Sequence, residues 1–193
     1  MERQYSDEEL AGLGLGTVGR NVRLDRSAII LNPAGIRIGD HVRIDAFCLI
    51  SAFGAGVSIG SHVHIAAGVY IFGGGGVTID DFAGVSARSI IYSANDDYSG
   101  EHLTGPTLPP EFTAVSSAPV RIGRHAVLGA GSVVLPGVVV GEGAISGALS
   151  LVKQDVSPFT MVAGTPAREV KSRSRRLLQL EAEFLLSDKE RGS

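Results

Sequence analysis

The chain predicts an all-β fold: a parallel β-helix wound from six-residue repeats, with one long loop, a short N-terminal helix and a C-terminal helix. Three observations predict it. Aliphatic residues return at every sixth position, as at Ile122, Leu128, Val134 and Val140. The sixes come in groups of three before a new row begins. The 193 residues hold 26 glycines and no tryptophan, which suits a turn-dense β chain with layers of similar aliphatic side chains. Helices repeat every 3.6 residues and strands every 2, so neither alone gives a period of six. A short strand followed by a tight corner does, and three such corners close one coil.

The elements follow in order. Residues 1–17 form an N-terminal cap, in which Ser6 is a helix N-cap followed by Asp7, Glu8 and Glu9 in the first turn. The β-helix spans 18–167. Its rows read "VGRNVR", "LDRSAI", "ILNPAGIR" from Val18, then start again at Ile38, Ile59, Ile79, Ile122 and Val140. The first aliphatic of each six faces inward and stacks on its counterparts in the coils above and below. Extra residues gather in the third six, in "NPAG", "SAFGAG" and "FGGGG", so one edge of the prism carries bulges. A long excursion, 95–118, leaves from that same side. Loops of such length are usually functional or disordered. From about Arg168 the chain becomes charged with Leu at helical spacing, which predicts a C-terminal helix in 168–193.

Composition excludes several classes. A net charge of -3 gives no general attraction for nucleic acid. The single cysteine, Cys48 in "FCLI", permits no intrachain disulfide and no thiolate metal cluster, and is expected to be buried. The N-terminal "MERQYSDEEL" has no apolar signal core, and no apolar run reaches the roughly 18 residues of a membrane span. A cytoplasmic location is expected.

The repeats, the long loop and the closing "SPFTMVAGTPAREVK" together resemble the hexapeptide-repeat acyltransferases, and more closely the galactoside- and maltose-type sugar O-acetyltransferases. The loop also resembles those of acetyltransferases found with surface-polysaccharide enzymes. The resemblance covers residues 18–171, and its most specific part is Val162–Arg168. It implies a left-handed β-helix, a homotrimer with a site between neighbouring prisms, and acetyl-CoA as donor, with no metal required. It also implies that Ala130 and Ala148 present backbone to the pantetheine arm. Lys153, Arg168 and Lys171 would then face the CoA phosphates, where cationic side chains make chemical sense.

The chain departs from that family at the base. Acetyl transfer to a hydroxyl needs a general base near neutral pH, usually His. The matching place at the loop root reads Asn95-Asp96-Asp97, with no His. His41, His62 and His125 share one place in their coils, which marks a stacked structural column. His64 lies off that column; its equivalents are Arg23, Arg43, Gly84 and Val127. His64 is therefore the expected base, oriented by Asp96 or Asp97. Asn95, Asp97, Tyr98 and His102 are expected to contact the acceptor, and His102 is the second candidate base. The expected activity is acetyl transfer to a hydroxyl of a sugar, free, nucleotide-linked or polymer-bound. N-acetylation of an amino sugar on the same fold is the alternative, with a non-catalytic β-helix scaffold a further one. A γ-carbonic-anhydrase-like zinc site is disfavoured because the spacing in "HVH" is wrong for it.

Overall fold

A computed structural model describes residues 3–191. The first two and last two positions of the expected end segments lie outside the described residues. The fold is a left-handed parallel β-helix of about 7 turns, and its strands make three parallel sheets. The first face begins with Thr17–Val18 and ends with Val139–Val140. The second runs from Arg23–Leu24 up to Ile145–Ser146, Thr160–Gly164 and Ala167–Ser172. The third runs from Ile29–Leu31 to Leu151–Val152.

The expected inward residues stack in register. Ile44, Ile65, Val85 and Leu128 form one column, and Ile50, Ile71, Ile91 and Val134 another. All eight are buried. Cys48 is fully buried, as expected. Toward the top the core turns partly polar: the buried Ser132 and Ser146 hydroxyls pair at 2.9 Å, and each of the buried serines Ser89, Ser132 and Ser150 reaches a backbone carbonyl. Every buried hydroxyl thus has a partner, as burial away from water demands.

The His column is structural. Asn21, His41, His62, Phe82 and His125 all adopt positive φ, 56–58°, at the corner between the first and second faces. Their rings stack: His41 to His62 at 4.8 Å, His62 to Phe82 at 4.7 Å and Phe82 to His125 at 5.1 Å. Asn and His are among the side chains that best tolerate this left-handed conformation. The C-terminal helix α2, Arg176–Arg191, lies along this edge. Its Phe184 meets His62 and Phe82 edge-on. Its Glu181 accepts hydrogen bonds from Arg124 and lies 2.6 Å from His125 Nε2. The Arg124 hydrogen bond is the main reason the Glu181 carboxyl is held below its ordinary range.

The ends differ in one respect from the sequence reading. The N-terminal helix α1, Asp7–Gly12, forms with Ser6 and Glu9 in a reciprocal capping box. At the other end, Arg168 lies not in a helix but in the strand Ala167–Ser172, which turns back antiparallel on Thr160–Gly164. The last coil would otherwise leave an open strand edge, and this hairpin covers it.

The excursion leaves from the third edge as expected, and it is ordered. Ala94–Asp96 pairs antiparallel with Val115–Ser117, and Ala118 N–H donates to Ser93 O at 3.0 Å as the chain rejoins the coil. Glycine at 75 makes the junction possible, because a Cβ there would collide with the Ser93 oxygen and lie 2.8 Å from Ala118 N.

Candidate active site

The loop residues divide into those already occupied and those left free. Asp97 accepts from the Ser99 backbone N–H at 2.9 Å and from the Ser99 hydroxyl at 2.8 Å, and lies 2.9 Å from His102 Nδ1. These bonds, the Ser99 N–H foremost, push its pKa down to about 2. Asp97 and His102 thus hold the loop in shape, and Tyr98 projects beside them, 81% exposed. Asp96 is half-buried at the end of the hairpin strand, and its carboxylate has no partner among the described residues. A carboxyl with a lowered folded-state pKa stabilises the fold above its unfolded value, and that contribution is lost as pH falls through the folded value. The Ser99 amide resonance is therefore expected to hold its native position down to about pH 3 and to be half shifted at about pH 2, well below the ordinary carboxylate range. An NMR titration reads this directly.

His64 does pair with a carboxylate, but not with either of the expected ones. Its Nε2 lies 2.8 Å from Asp45 Oδ2, and Arg43 Nε donates to Asp45 Oδ1 at 2.7 Å. Burial opposes charge on Asp45, yet the hydrogen bonds from His64 and Arg43 outweigh it and hold the carboxyl low. The reason is geometric. His64 points outward from the second face, directly above Arg43, whereas Asp96 extends from the third edge. The structure brings neither Asp96 nor Asp97 to His64.

The residues expected on the donor side lie high on the prism. Ala130 and Ala148 are exposed at the corner between the second and third faces, and Leu149 N–H donates to Ala130 O at 2.8 Å. Beside them, the outward residues of the second face are apolar: Val127, Ile145 and Met161 in register. This suits a pantetheine arm, which is largely uncharged. Lys153 and Arg168 line one groove at the top. Lys171 stands further out, opposite Met161 on the closing hairpin.

Ser86 belongs to none of the motifs in the sequence reading. It sits at the same second corner, where the matching places read Asp25, Asp45, Ala66, Gly129 and Gly147. A hydroxyl where the neighbouring coils carry only small apolar residues is the signal that could have found it. Ser86 is half-buried, and its hydroxyl has no partner among the described residues. Among the described residues, no group of three or more His, Cys, Asp or Glu could hold a metal ion.

A family model described as the hexapeptide repeat of succinyl-transferase matches residues 35–72 and 119–148. The chain is 45% identical over 181 residues to dTDP-4-amino-4,6-dideoxy-D-glucose acyltransferase of Escherichia coli, across 93% of this chain and 94% of the relative. It is a hexapeptide-repeat acyltransferase. The structure of AntD, an N-acyltransferase from Bacillus cereus in complex with dTDP and 3-hydroxybutyryl-CoA, superposes on this acyltransferase with a TM-score of 0.94. That match is at 43% identity, over 98% of this chain and all of the other. Galactoside acetyltransferase in complex with coenzyme A shares the fold at a TM-score of 0.62 and 22% identity, over 88% of this chain and 70% of that one.

Proposed function

We propose that the chain transfers an acyl group from acyl-CoA to the amino group of a dTDP-linked 4-amino-4,6-dideoxy sugar, within a homotrimer. The observation that carries this is the 45% identity, over nearly the full length of both chains, to an enzyme of that name. It favours the amino-sugar alternative over the expected hydroxyl acceptor. The loop root supplies a physical reason. A hydroxyl must lose its proton as it attacks, so it needs a base near pH 7. A neutral amine attacks with its own lone pair and becomes acidic only afterwards, so a carboxylate is base enough. Asn95-Asp96-Asp97, without His, fits an amine.

Solved forms of AntD carry substitutions at one serine and at one aspartate ten positions beyond it. In this chain, Ser86 and Asp96 are the only serine and aspartate with that spacing. They are also the two polar side chains described above as free. In this reading the amine nitrogen attacks the thioester carbonyl and the new N–C bond forms. Asp96 takes the proton from nitrogen, the C–S bond breaks, and CoA leaves as the thiol after proton return. Ser86 positions the reacting groups by its hydroxyl. Ala130, Ala148, Lys153, Arg168 and Lys171 hold CoA.

Two features support the trimer. The outward column of the third face is continuous and apolar: Ile29, Leu49, Tyr70, Ile90, Val133 and Leu151, in register. Ile29 and Tyr70 are 53% and 42% exposed, and a second copy covers such a face well. Ser86 precedes the strand Ile90–Tyr92 of that face, and Asp96 lies beyond its far end. A site that uses both takes one from each of two copies.

The test is thiol release from acetyl-CoA with two acceptors: dTDP-4-amino-4,6-dideoxyglucose and the dTDP-6-deoxyglucose that bears a hydroxyl at the same carbon. Rapid release is expected with the amine alone. Equal or faster release with the hydroxyl sugar would refute the reading.

A further inference from the structure

The pairing of His64 with Asp45 serves no step of the proposed reaction, and neither does the bare position beside it. The outward column of the second face reads, in register, Arg23, Arg43, His64, Gly84, Val127, Ile145 and Met161. Gly84 alone in this column carries no side chain. Neither backbone nor packing demands glycine there. Gly84 is not among the glycines with positive φ, and a Cβ on it would meet only Val127 Cγ2, at an ordinary 3.9 Å. The gap it leaves in the column is that of a missing aliphatic side chain, about three or four carbons.

The gap has one apolar wall and one polar wall. Val127 stands one coil above it and begins the apolar strip that continues through Ile145 and Met161. His64 stands one coil below. Its Nε2 faces the Asp45 carboxylate, which stays ionised despite partial burial because His64 and Arg43 both bond to it. An ionised carboxylate only accepts, so Nε2 of the neutral ring carries the proton and donates it. Nδ1 is then an acceptor, and it has no partner among the described residues. Ser86 lies two residues beyond Gly84, roughly 7 Å along the extended chain.

We propose that the gap at Gly84 receives the acyl chain and selects a four-carbon 3-hydroxyacyl group over acetyl. With the thioester beside Ser86, the tail lies over Gly84 against Val127, and the 3-hydroxyl donates to His64 Nδ1. A two-carbon group ends beside Ser86 and leaves the gap to water. A four-carbon tail fills it and buries apolar surface, which favours the longer donor. The acceptor amine then enters from the side of the neighbouring copy, which carries Asp96. Gly84 and His64 act here as specificity residues, and neither takes part in breaking the C–S bond. The proposal rests on the reading of acyl-CoA as donor, and it adds which acyl group is transferred.

Transfer to dTDP-4-amino-4,6-dideoxyglucose from acetyl-, butyryl- and 3-hydroxybutyryl-CoA tests it, together with calorimetric titration of each donor without acceptor. For the wild-type protein kcat/KM is expected to rise in that order, about tenfold for the longer chain and about tenfold again for the hydroxyl. Gly84→Val is expected to reverse the first step and favour acetyl over butyryl, with Gly84→Ala between it and the wild type. Thermal melts of both show whether the coil is intact. His64→Ala is expected to bring 3-hydroxybutyryl-CoA down to the level of butyryl-CoA. Wild-type protein that uses acetyl-CoA as well as the longer donors overturns the proposal. So does a wild-type order of donors kept by both Gly84 variants, or a hydroxyl preference kept by His64→Ala. Donor affinities are read without turnover, so the two readings fail separately: protein that binds the three donors in the expected order but acylates no amino sugar would contradict the proposed reaction and support the acyl subsite.

Discussion

Replacing Asp96 by Asn is expected to lower kcat by about a hundredfold to ten-thousandfold, the usual range for a general base. The KM for acyl-CoA should change little, because the residues proposed to hold the donor lie on higher coils. Asn is nearly the same size and cannot take the proton from the attacking amine. It also leaves the hairpin intact, since the Asp96 carboxylate makes no bond within the chain and the strand is held by its backbone pairing with Val115–Ser117. Asp97→Asn gives the contrast. It disturbs the bonds to Ser99 and His102 and should act through loop order, raising the acceptor KM more than it lowers kcat. Stopped-time assays of both variants across a range of acceptor concentrations separate the two roles. Near-normal turnover by Asp96→Asn would remove the carboxylate from the chemistry.

The second large effect is on stability. Ile65→Ala is expected to cost about 2–5 kcal/mol, the range for deleting buried aliphatic groups that cannot be refilled. Ile65 is fully buried, with Ile44 below it and Val85 above it in the same column. Each coil is held by backbone bonds to the next, so the column cannot collapse sideways to close the hole. The loss is comparable to a large part of a typical domain's net stability. Urea unfolding at fixed protein concentration measures it. The exposed Arg23→Ala, two coils lower on the outer surface of the same face, serves as control and should leave the midpoint unchanged.

Much of the architecture was legible because the repeat is a geometric constraint. Ile38, Ile59, Ile79 and Ile122 sit one above another because every coil returns to the same place, and a period of six says so without any structure. The His column was legible for the same reason: His41, His62 and His125 recur at one corner, where the backbone is left-handed in every coil that carries them. The excursion could be placed on its edge, since bulges had already accumulated there. The strand Ala167–Ser172 was hidden by composition, because its alternating charged residues resemble the helix that follows. The site was harder. His64 stands out chemically, but the residue opposite it depends on which face each side chain leaves, and Asp45, one coil below, is nearer in space than Asp96 on another edge. Ser86 gave no sign beyond replacing Ala or Gly in its column. Asp96 and Asp97 are adjacent in sequence, and only their hydrogen bonds distinguish the free carboxylate from the one committed to the loop.

Co-expression of Ser86→Ala and Asp96→Asn chains, followed by thiol-release assay of the mixed trimers, tests the central claim most directly. Each variant alone is expected to be severely impaired. If every site joins Ser86 of one copy to Asp96 of its neighbour, random assembly restores about a quarter of the sites, because both residues are intact at one interface in four. Mixed trimers no more active than the two parents would show that the site does not span neighbouring copies in this way.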